Sequence, residues 1–357
     1  MLILRGGEVR EALESNLENV VETVRTAYVA HGEGMSSVPH SLFLQLPDRP
    51  RDRIIALPAY LGGGFELAGL KWISSFPGNV PNGMERAAAI IVLNDVNTGR
   101  PRVVMEGSQV SSHRTAAGAA LAARCLRPQA RTPSVGLIGC GLINWQVLRF
   151  LDAMLPELER AEVFDLVPGR ATAFAERCMR LLPAMRVSVA AESEAILRSH
   201  RLVSFATTAL QPHVRRLDGC APGTVLLHVS LRDLAPEVVL SCDNVVDDVE
   251  HVLRAGTSLH LAEQTTGRRD FVTCTICDVL RGTTAWRPDG RRPVVYSPFG
   301  LGVLDVAVAG LVERFARRRG LGVELEGFFP DVGNPTTSNP GDCDGGRSVI
   351  ESSPVSR

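Results

Sequence analysis

The sequence lacks the features that mark membrane-spanning, nucleic-acid-binding or disulfide-stapled proteins. None of its apolar runs approaches the roughly 20 residues that a helix needs to cross a bilayer. The formal net charge of -1 and a pI near 6.7 create no strong field toward nucleic acid or an anionic membrane. The eight cysteines are scattered without a compact framework, and the first residues do not read as a signal peptide. We therefore expect reduced thiols in a cytoplasmic protein whose partners are small molecules or other subunits.

The composition is that of a globular protein with enough apolar residues for two cores. Of its 357 residues, 45% are hydrophobic and 22% charged, so two domains are a better expectation than one. Near the start, "NVVETVRTAYVAHGEG" has apolar residues at helical spacing and predicts an amphipathic helix that stops near Gly32. Four β-branched runs then predict an antiparallel sheet: "DRIIALPAYLG", "LAGLKWISSF", "AAAIIVLND" and "RPRVVMEG".

From "HRTAAGAALAARCL" onward, helical and strand patterns alternate. The predicted strands are residues 135–140, 161–166, 201–207, 224–229 and 243–247, and the predicted helices are residues 142–155, 169–183 and 192–198. This alternation is typical of a doubly wound parallel sheet, so we predict an α/β fold. A closing helix in "SPFGLGVLDVAVAGLVERFARRRG" precedes a stretch rich in Gly, Pro and Ser, which predicts a disordered tail beyond about residue 328.

A glycine turn between the first predicted strand and helix of this region suggests a dinucleotide site. In "VGLIGCGLIN", Gly139 and Gly141 stand where the backbone must turn tightly and approach a pyrophosphate, but the third glycine position holds Asn144. That third glycine serves helix packing, so Asn144 weakens the motif without removing its chemistry. Asp165 closes the next strand 24 residues after Gly141, where a carboxylate accepts from a ribose hydroxyl and favours NAD over NADP. The alternative is a glycine turn in some other α/β sheet.

Several polar residues are candidates for the chemistry beside such a cofactor. Lys71 is a lone cation within an apolar strand pattern, and Arg114 begins a long helix, where its guanidinium could grip a carboxylate. Asp233 follows the predicted strand of residues 224–229, and Thr207 and Thr208 stand at the end of the predicted strand of residues 201–207, at the carboxyl edge of the parallel sheet. Taken singly, each could equally be an edge charge, a salt-bridge partner or a cap.

One cysteine pair has the spacing of metal ligands. Cys274 and Cys277 form a CxxC in "CTIC", but no second CxxC or histidine pair completes a set of four ligands. We therefore expect no metal site.

Three segments together resemble the ornithine cyclodeaminase and mu-crystallin superfamily. They are "GLKWISS", "SSHRTAAGAALAA" and "SPFGLGVLDVAVA", and the resemblance extends over roughly residues 10–320. Longer matches in "GLKWISSFPGNVPNGMERAAAIIVLND" and "VVMEGSQVSSHRTAA" are similar to the N-(2-amino-2-carboxyethyl)-glutamate dehydrogenase branch, which makes diaminopropionate for siderophores and peptide antibiotics.

The resemblance implies a domain arrangement and a set of roles. A Rossmann domain of residues 113–300 would be inserted in an α+β substrate and dimerisation domain built from residues 1–112 and 301–327, in a homodimer. Lys71 and Arg114 would hold the substrate carboxylate, Asp233 would handle protons and activate water, and Met84 and Arg86 would lie near the substrate. The implied NAD-binding residues are Gly139, Gly141, Leu142, Ile143, Asp165, Thr207, Thr208 and Ser230.

The implied reaction is the NAD-dependent oxidative hydrolysis of N-(2-amino-2-carboxyethyl)-L-glutamate to 2,3-diaminopropionate and 2-oxoglutarate. One departure bears on the substrate, because the branch often carries a basic residue where this chain has Ser41 and Gln45. One substrate carboxylate would then be held differently, or the substrate would differ. The alternatives are an ornithine or lysine cyclodeaminase, an imine reductase, and a nucleotide-binding protein without catalysis.

Overall fold

The chain forms two sheets, and the computed structural model describes residues 1–127 and 132–329. The first sheet begins with strand β1 and is built mostly from the N-terminal third. The elements of that third are β1 (Leu2–Leu4), α1 (Gly6–Glu14), α2 (Leu17–Gly32), β2 (Ser36–Ser37), β3 (Leu42–Leu46), β4 (Arg49–Leu61), β5 (Leu67–Ser75), a 3-10 helix (Pro77–Asn82), β6 (Ala87–Asn94), β7 (Pro101–Glu106) and α3 (Ser108–Leu126). Helix α2 ends at Gly32, as predicted.

The four predicted strands of this region are β4, β5, β6 and β7, and they pair antiparallel in chain order, which confirms the prediction. Asp95 makes the tight turn between β6 and β7, because its carboxylate accepts hydrogen bonds from the backbone N–H groups of Asn97 and Thr98. At the edge, β1 pairs in parallel with β7 and antiparallel with β16 (Val323–Glu324), so segments before and after the middle of the chain enter this sheet.

The middle of the chain forms the second sheet and the helices around it. Its elements are β8 (Ser134–Ile138), α4 (Leu142–Met154), β9 (Arg160–Phe164), α5 (Pro168–Leu181), β10 (Arg186–Val189), α6 (Ser193–Ser199), β11 (Leu202–Phe205), β12 (Val225–His228), α7 (Pro236–Leu240), β13 (Asp243–Val246), α8 (Val249–Val252), α9 (Ser258–Thr266), β14 (Val272–Thr275), α10 (Ile276–Arg281) and β15 (Val294–Ser297).

The strands of the second sheet that the structure describes are all parallel, in the order β10-β9-β8-β11-β12-β15-β13-β14. The order reverses at β8, which is the topological switch point of a doubly wound sheet. The predicted fold class is thus confirmed. The sequence pattern misses β10, β14 and β15. Strand β10 buries none of its side chains and β14 only one, so neither forms an apolar run, and β15 is a short run between Pro293 and Pro298.

Helix α11 (Gly302–Arg319) returns the chain to the first sheet, where it packs against β4 and β5. Residues 1–324 form one compact unit. The predicted boundary between residues 112 and 113 falls inside α3, which begins at Ser108, so the division into domains stays a proposal. In the described part of the chain, no helix is long and apolar enough to cross a membrane.

The second unit, Leu325–Arg357, is described only as far as residue 329. There the rings of Phe328 and Phe329 meet edge to face, with centroids 5.0 Å apart. Apart from its first two residues, the disordered tail predicted for residues 328–357 lies outside the described residues.

Candidate active site

The turn between β8 and α4 has the geometry of a phosphate-binding loop. Gly139 adopts φ +93°, and a Cβ on it would lie 2.5 Å from the carbonyl oxygen of Ala206, so only glycine fits there. Gly141 caps the N-terminus of α4, and a Cβ on it would meet nothing within 4 Å. The helix therefore presents free backbone N–H groups and a positive dipole end toward open space, which suits an anion.

Asn144, at the third glycine position, is buried, and its side chain holds this loop by hydrogen bonds. Its Nδ2 donates to the carbonyl oxygens of Ile138 at 3.0 Å and of Gly139 at 2.7 Å. Its Oδ1 accepts a hydrogen bond from the Ser204 hydroxyl of β11 at 2.7 Å. A glycine here could make none of these bonds, so the departure from the motif ties the loop to two strands.

Asp165 follows β9 and lies against the same loop. Its carboxylate accepts from the backbone N–H of Cys140 at 2.9 Å and from that of Val167 at 3.0 Å. The guanidinium of Arg170 lies 3.9 Å from it. The carboxylate is thus held at the carboxyl end of β9, where the ribose of a dinucleotide would lie in a Rossmann sheet.

Lys71, Arg114 and Asp305 form a buried charge cluster. The Lys71 ammonium lies 2.7 Å from Oδ2 of Asp305, and Nε of Arg114 donates to Oδ1 of the same carboxylate at 3.0 Å. Their relative exposures are 2%, 9% and 0%. Lys71 also donates to the Ser111 hydroxyl at 3.1 Å. The structure thus unites the two predicted carboxylate-binding residues through an aspartate at the start of α11.

Burial controls the ionisation of this cluster. Desolvation lowers the pKa of Lys71 to about 8 from its ordinary value of 10.5, although the Asp305 charge opposes the shift. Two cations share a single carboxylate, so the cluster keeps a net positive charge when Lys71 is protonated. That charge suits a substrate carboxylate.

Arg114 is positioned by the loop that precedes α11. Gly300 adopts φ +93°, and a Cβ on it would lie 2.7 Å from the guanidinium of Arg114. The buried Asp247 holds this loop, because it accepts hydrogen bonds from the backbone N–H groups of Phe299 at 2.8 Å and Gly300 at 2.7 Å. Burial raises the pKa of Asp247 despite these bonds.

Asp233 lies beyond the end of β12 and is the acceptor for several donors. The hydroxyls of Thr207 and Ser230 donate to its two carboxylate oxygens. Nε2 of His228 faces both the carboxylate, at 3.2 Å, and the backbone N–H of Asp233, at 3.1 Å. Burial alone would raise the pKa of Asp233, but His228 and the two hydroxyls lower it to about 2, so the carboxylate is ionised.

A cavity of about 180 Å³ contacts both Arg114 of the charge cluster and the helix that follows the phosphate loop. Its wall includes Arg114 and Thr115 from α3, Ile143 from the first turn of α4, and Val229 after β12. Tyr28 and Tyr296, whose hydroxyls lie 2.9 Å apart, close another side. The arginine predicted to bind a carboxylate therefore shares one cavity with Ile143, which is predicted to contact the cofactor.

Other predicted residues lie outside this cavity. Met84 is 56% exposed in the turn before β6, and Thr208 is also exposed. Arg86 donates to the Ser75 hydroxyl at 2.7 Å. Ser41 lines a second cavity of about 160 Å³, together with His251 and other residues.

No metal site emerges from the described residues, among which no three His, Cys, Asp or Glu side chains are placed to hold an ion. Cys274 and Cys277 are buried, and burial raises the pKa of both thiols.

Comparison with known proteins places the chain in a family. The model of the ornithine cyclodeaminase/mu-crystallin family matches residues 3–319. The chain belongs to this family. This confirms the resemblance stated from the sequence, and the motif "SPFGLGVLDVAVA" that helped to carry it contains Asp305.

Within the family, relatives of several activities share the whole fold. The N-((2S)-2-amino-2-carboxyethyl)-L-glutamate dehydrogenase of Staphylococcus aureus is 27% identical over 91% of this chain and 98% of its own. The structure of CmnK is 29% identical, with a TM-score of 0.85, over 92% of this chain and 99% of its own. An archaeal alanine dehydrogenase dimer with bound NAD is 26% identical, with a TM-score of 0.83, over 92% and 99% of the two chains.

Proposed function

We propose that the protein is an NAD-dependent dehydrogenase that converts N-(2-amino-2-carboxyethyl)-L-glutamate, NAD and water into 2,3-diaminopropionate, 2-oxoglutarate and NADH. The observation that carries this proposal is the cavity in which Arg114 meets Ile143 of the phosphate-loop helix. This cavity would bring the predicted carboxylate-binding cation beside the proposed dinucleotide site. The staphylococcal relative of that name, alike over nearly its whole length, supports this substrate.

The glycine loop, α4 and Asp165 would hold the dinucleotide, which supplies the hydride acceptor when bound. Lys71 and Arg114 would bind the α-carboxylate of the glutamate part and fix its α-carbon toward that acceptor. Asp305 would set the distance between the two cations, because it accepts from both. When water adds to the carbon–nitrogen double bond, electron density moves from that bond onto the nitrogen. The buried positive charge would also stabilise this developing negative charge.

Asp233 would take the proton of the attacking water through a hydroxyl. Its carboxylate is fully buried, whereas Thr207 and Ser230, which donate to it, are partly exposed. A proton could therefore reach Asp233 along either hydroxyl, or from the exposed His213, whose Nε2 lies 4.0 Å from the carboxylate. With its pKa of about 2, the carboxylate is a weak base but a permanent acceptor that orients both hydroxyls.

The decisive experiment mixes the purified protein with NAD and the joined amine, follows NADH by absorbance, and identifies products by mass. Equal amounts of NADH, diaminopropionate and 2-oxoglutarate are expected. Ornithine or lysine converted to a cyclic amino acid without net NADH would instead identify a cyclodeaminase. Oxidation of NADH by a cyclic or linear imine, with no reaction of the joined amine, would identify an imine reductase.

The role of Asp233 has its own test. Asp233→Asn should lower turnover by about two to four orders of magnitude, the range for loss of a general acid–base group. Asp218→Asn, at an exposed ion pair with Arg216, is the matched control and should leave turnover unchanged. Near-normal turnover of Asp233→Asn would remove this residue from the mechanism.

The wider setting follows from the same proposal. The archaeal alanine dehydrogenase structure is a dimer, and we propose a homodimer here, with residues 1–112 and 301–327 as the dimerisation domain. The product would supply siderophore or peptide natural-product synthesis in the cytoplasm.

A further inference from the structure

Three partly buried arginines lie in the first sheet and beside Asp233. They are Arg53 on β4, Arg86 just before β6, and Arg232 in the loop after β12. Within residues 1–127 and 132–329, no carboxylate lies within ion-pair distance of any of them. Nε of Arg53 is fully buried and has no hydrogen-bond partner at all.

Sheet register brings the first two together. Arg53 is the cross-strand partner of Ser75, so the two side chains lie on the same face of the sheet. The guanidinium of Arg86 donates to the hydroxyl of that same Ser75 at 2.7 Å. On the other side of Arg53, its partner on β3 is the uncharged Gln45, one of the two positions where a basic residue was expected. The sheet therefore offers Arg53 no counter-charge.

Arg232 joins the group from the second sheet. It precedes Asp233, and its guanidinium donates to the carbonyl oxygen of Ala255 at 2.7 Å. Burial lowers the pKa of Arg86 and of Arg232, and in both cases the positive charge of Arg53 lowers it further, whereas the Asp233 carboxylate raises the pKa of Arg232. Arg53 thus lies within electrostatic range of both Arg86 and Arg232.

An uncompensated cluster of this kind costs stability. Partly buried cations lose hydration, and like charges repel, so a protein retains them where a ligand supplies the missing negative charge. Guanidinium groups bind carboxylates by paired, charge-assisted hydrogen bonds. The chemistry of the cluster therefore selects an anion with one or more carboxylates.

The cluster lies on the same face of the sheet as Lys71. Lys71 is paired with Leu57, and Arg53 stands four residues before Leu57 on the same strand, which keeps both on one face. Four strand residues span about 13 Å, and the long side chains can bridge part of that distance. A branched substrate held at Lys71 and Arg114 by one carboxylate would direct its other end toward the cluster.

We infer that Arg53, Arg86 and Arg232 form a second anion site, which takes the distal carboxylates of a substrate whose α-carboxylate is bound by Lys71 and Arg114. This inference rests on the proposed function for the first carboxylate. It implies that the substrates of the protein are amino acids with more than one carboxylate. Ornithine and lysine carry a distal ammonium group that the cluster would repel, and alanine has no distal group to fill it.

The test measures, by titration calorimetry, how tightly the NADH-loaded protein binds 2-oxoglutarate and 2-oxopentanoate. Both are five-carbon 2-oxo acids, but only 2-oxoglutarate has a distal carboxylate. The wild type should bind 2-oxoglutarate at least 10-fold more tightly than 2-oxopentanoate, from the usual strength of charged hydrogen bonds. Arg53→Gln and Arg86→Gln should each weaken 2-oxoglutarate binding about 10- to 100-fold and leave 2-oxopentanoate unchanged. Arg53→Lys should restore part of the loss. Arg291→Gln, at an exposed arginine before β15, is the control.

A structural role for Arg53 predicts a different result. If Arg53 served only the fold, the ligand-free Arg53→Gln protein would melt at a lower temperature, whereas removal of an uncompensated cation should leave the melting temperature unchanged or raise it. Equal binding of the two acids by the wild type, or unchanged 2-oxoglutarate binding in both glutamine variants, would overturn the inference.

The outcomes also separate this inference from the proposed function. If the joined amine is not oxidised but the preference for 2-oxoglutarate depends on the arginines, the anion site stands and the proposed reaction fails. If the amine is oxidised with an unchanged KM in Arg53→Gln and Arg86→Gln, the reaction stands and the anion site fails.

Discussion

Replacing Asp305 with asparagine would leave the buried Lys71 and Arg114 without the carboxylate that they share. The amide keeps the shape of the side chain but removes its charge, so the variant isolates the electrostatic part of the cluster. Both cations are within 3.0 Å of the carboxylate, and both are almost fully buried. Breaking a buried pair by removing one partner is strongly destabilising, because an uncompensated charge remains.

The loss of stability is limited, because Lys71 can release its proton and become neutral. With a pKa of about 8, that release costs about 1 kcal/mol at pH 7. Arg114 has no such escape, and losing a charged hydrogen bond there costs about 1.5–3 kcal/mol. The free energy of unfolding should therefore fall by about 3 kcal/mol at pH 7.

The pH dependence gives the sharper test. In the wild type the folded-state pKa of Lys71 lies below the ordinary 10.5, so the unfolded chain binds more protons between about pH 8 and 10.5 and stability rises there. Without Asp305 the folded-state pKa falls further, and the variant begins to gain stability at a lower pH. The deficit relative to wild type should therefore shrink by up to about 1 kcal/mol per unit between pH 6 and 8.

Urea unfolding at pH 6, 7 and 8, followed by circular dichroism, measures both quantities. Asp218→Asn, at an exposed ion pair, is the matched control and should change stability by only a few tenths of a kcal/mol. A deficit that stays constant over this pH range would show that Lys71 does not release its proton. Wild-type stability at pH 6 would refute the charge cluster itself.

The phosphate loop supports two further predictions. Asn144→Ala should lower the free energy of unfolding by about 1–3 kcal/mol, because it leaves the carbonyls of Ile138 and Gly139 and the Ser204 hydroxyl without this partner. Urea unfolding measures this change, with Asn97→Ala, at an exposed asparagine, as the control. Gly139→Ala should lower the free energy of unfolding by about 1–3 kcal/mol, because alanine is strained at the positive φ and its Cβ would clash with the backbone of Ala206. Gly141→Ala should leave stability unchanged but weaken NAD binding, which a fluorescence titration measures. Equal effects of the two glycine variants on stability would contradict the loop geometry.

Much of the fold could be predicted because its signals are local. The five predicted strands of the parallel sheet correspond to β8, β9, β11, β12 and β13, and the predicted helices to α4, α5 and α6, because long apolar runs alternate with amphipathic ones. Strands β10 and β14 were not predicted because they bury few of their side chains, and β15 was not predicted because it is a short run between two prolines. The start of α3 at Ser108 also escaped, because "SQVSS" has low helix propensity and is helical through its packing.

The site residues were harder, since their partners lie far away in the chain. Lys71 stood out as a cation in a strand, but its partner Asp305 is 234 positions later. The same logic could have found Asp305, because it too is a lone charge within an apolar helical face. His228 gave no such signal, since a single histidine at a strand end is common, and only the fold places it beside Asp233.

The order of the elements explains why the two halves of the site can meet. Helix α3 carries Ser111 and Arg114 in its first turns and precedes β8, the strand that leads into the phosphate loop, so the predicted carboxylate-binding residue Arg114 and this loop lie on successive elements of the chain. Helix α11 follows the last strand of the parallel sheet and returns to β5, where Asp305 reaches Lys71. The charge cluster is therefore assembled only when the segments before and after the parallel sheet pack together. A site built this way couples substrate binding to the association of the two sheets, because the same carboxylate that holds Lys71 also fixes Arg114 beside the phosphate-loop helix.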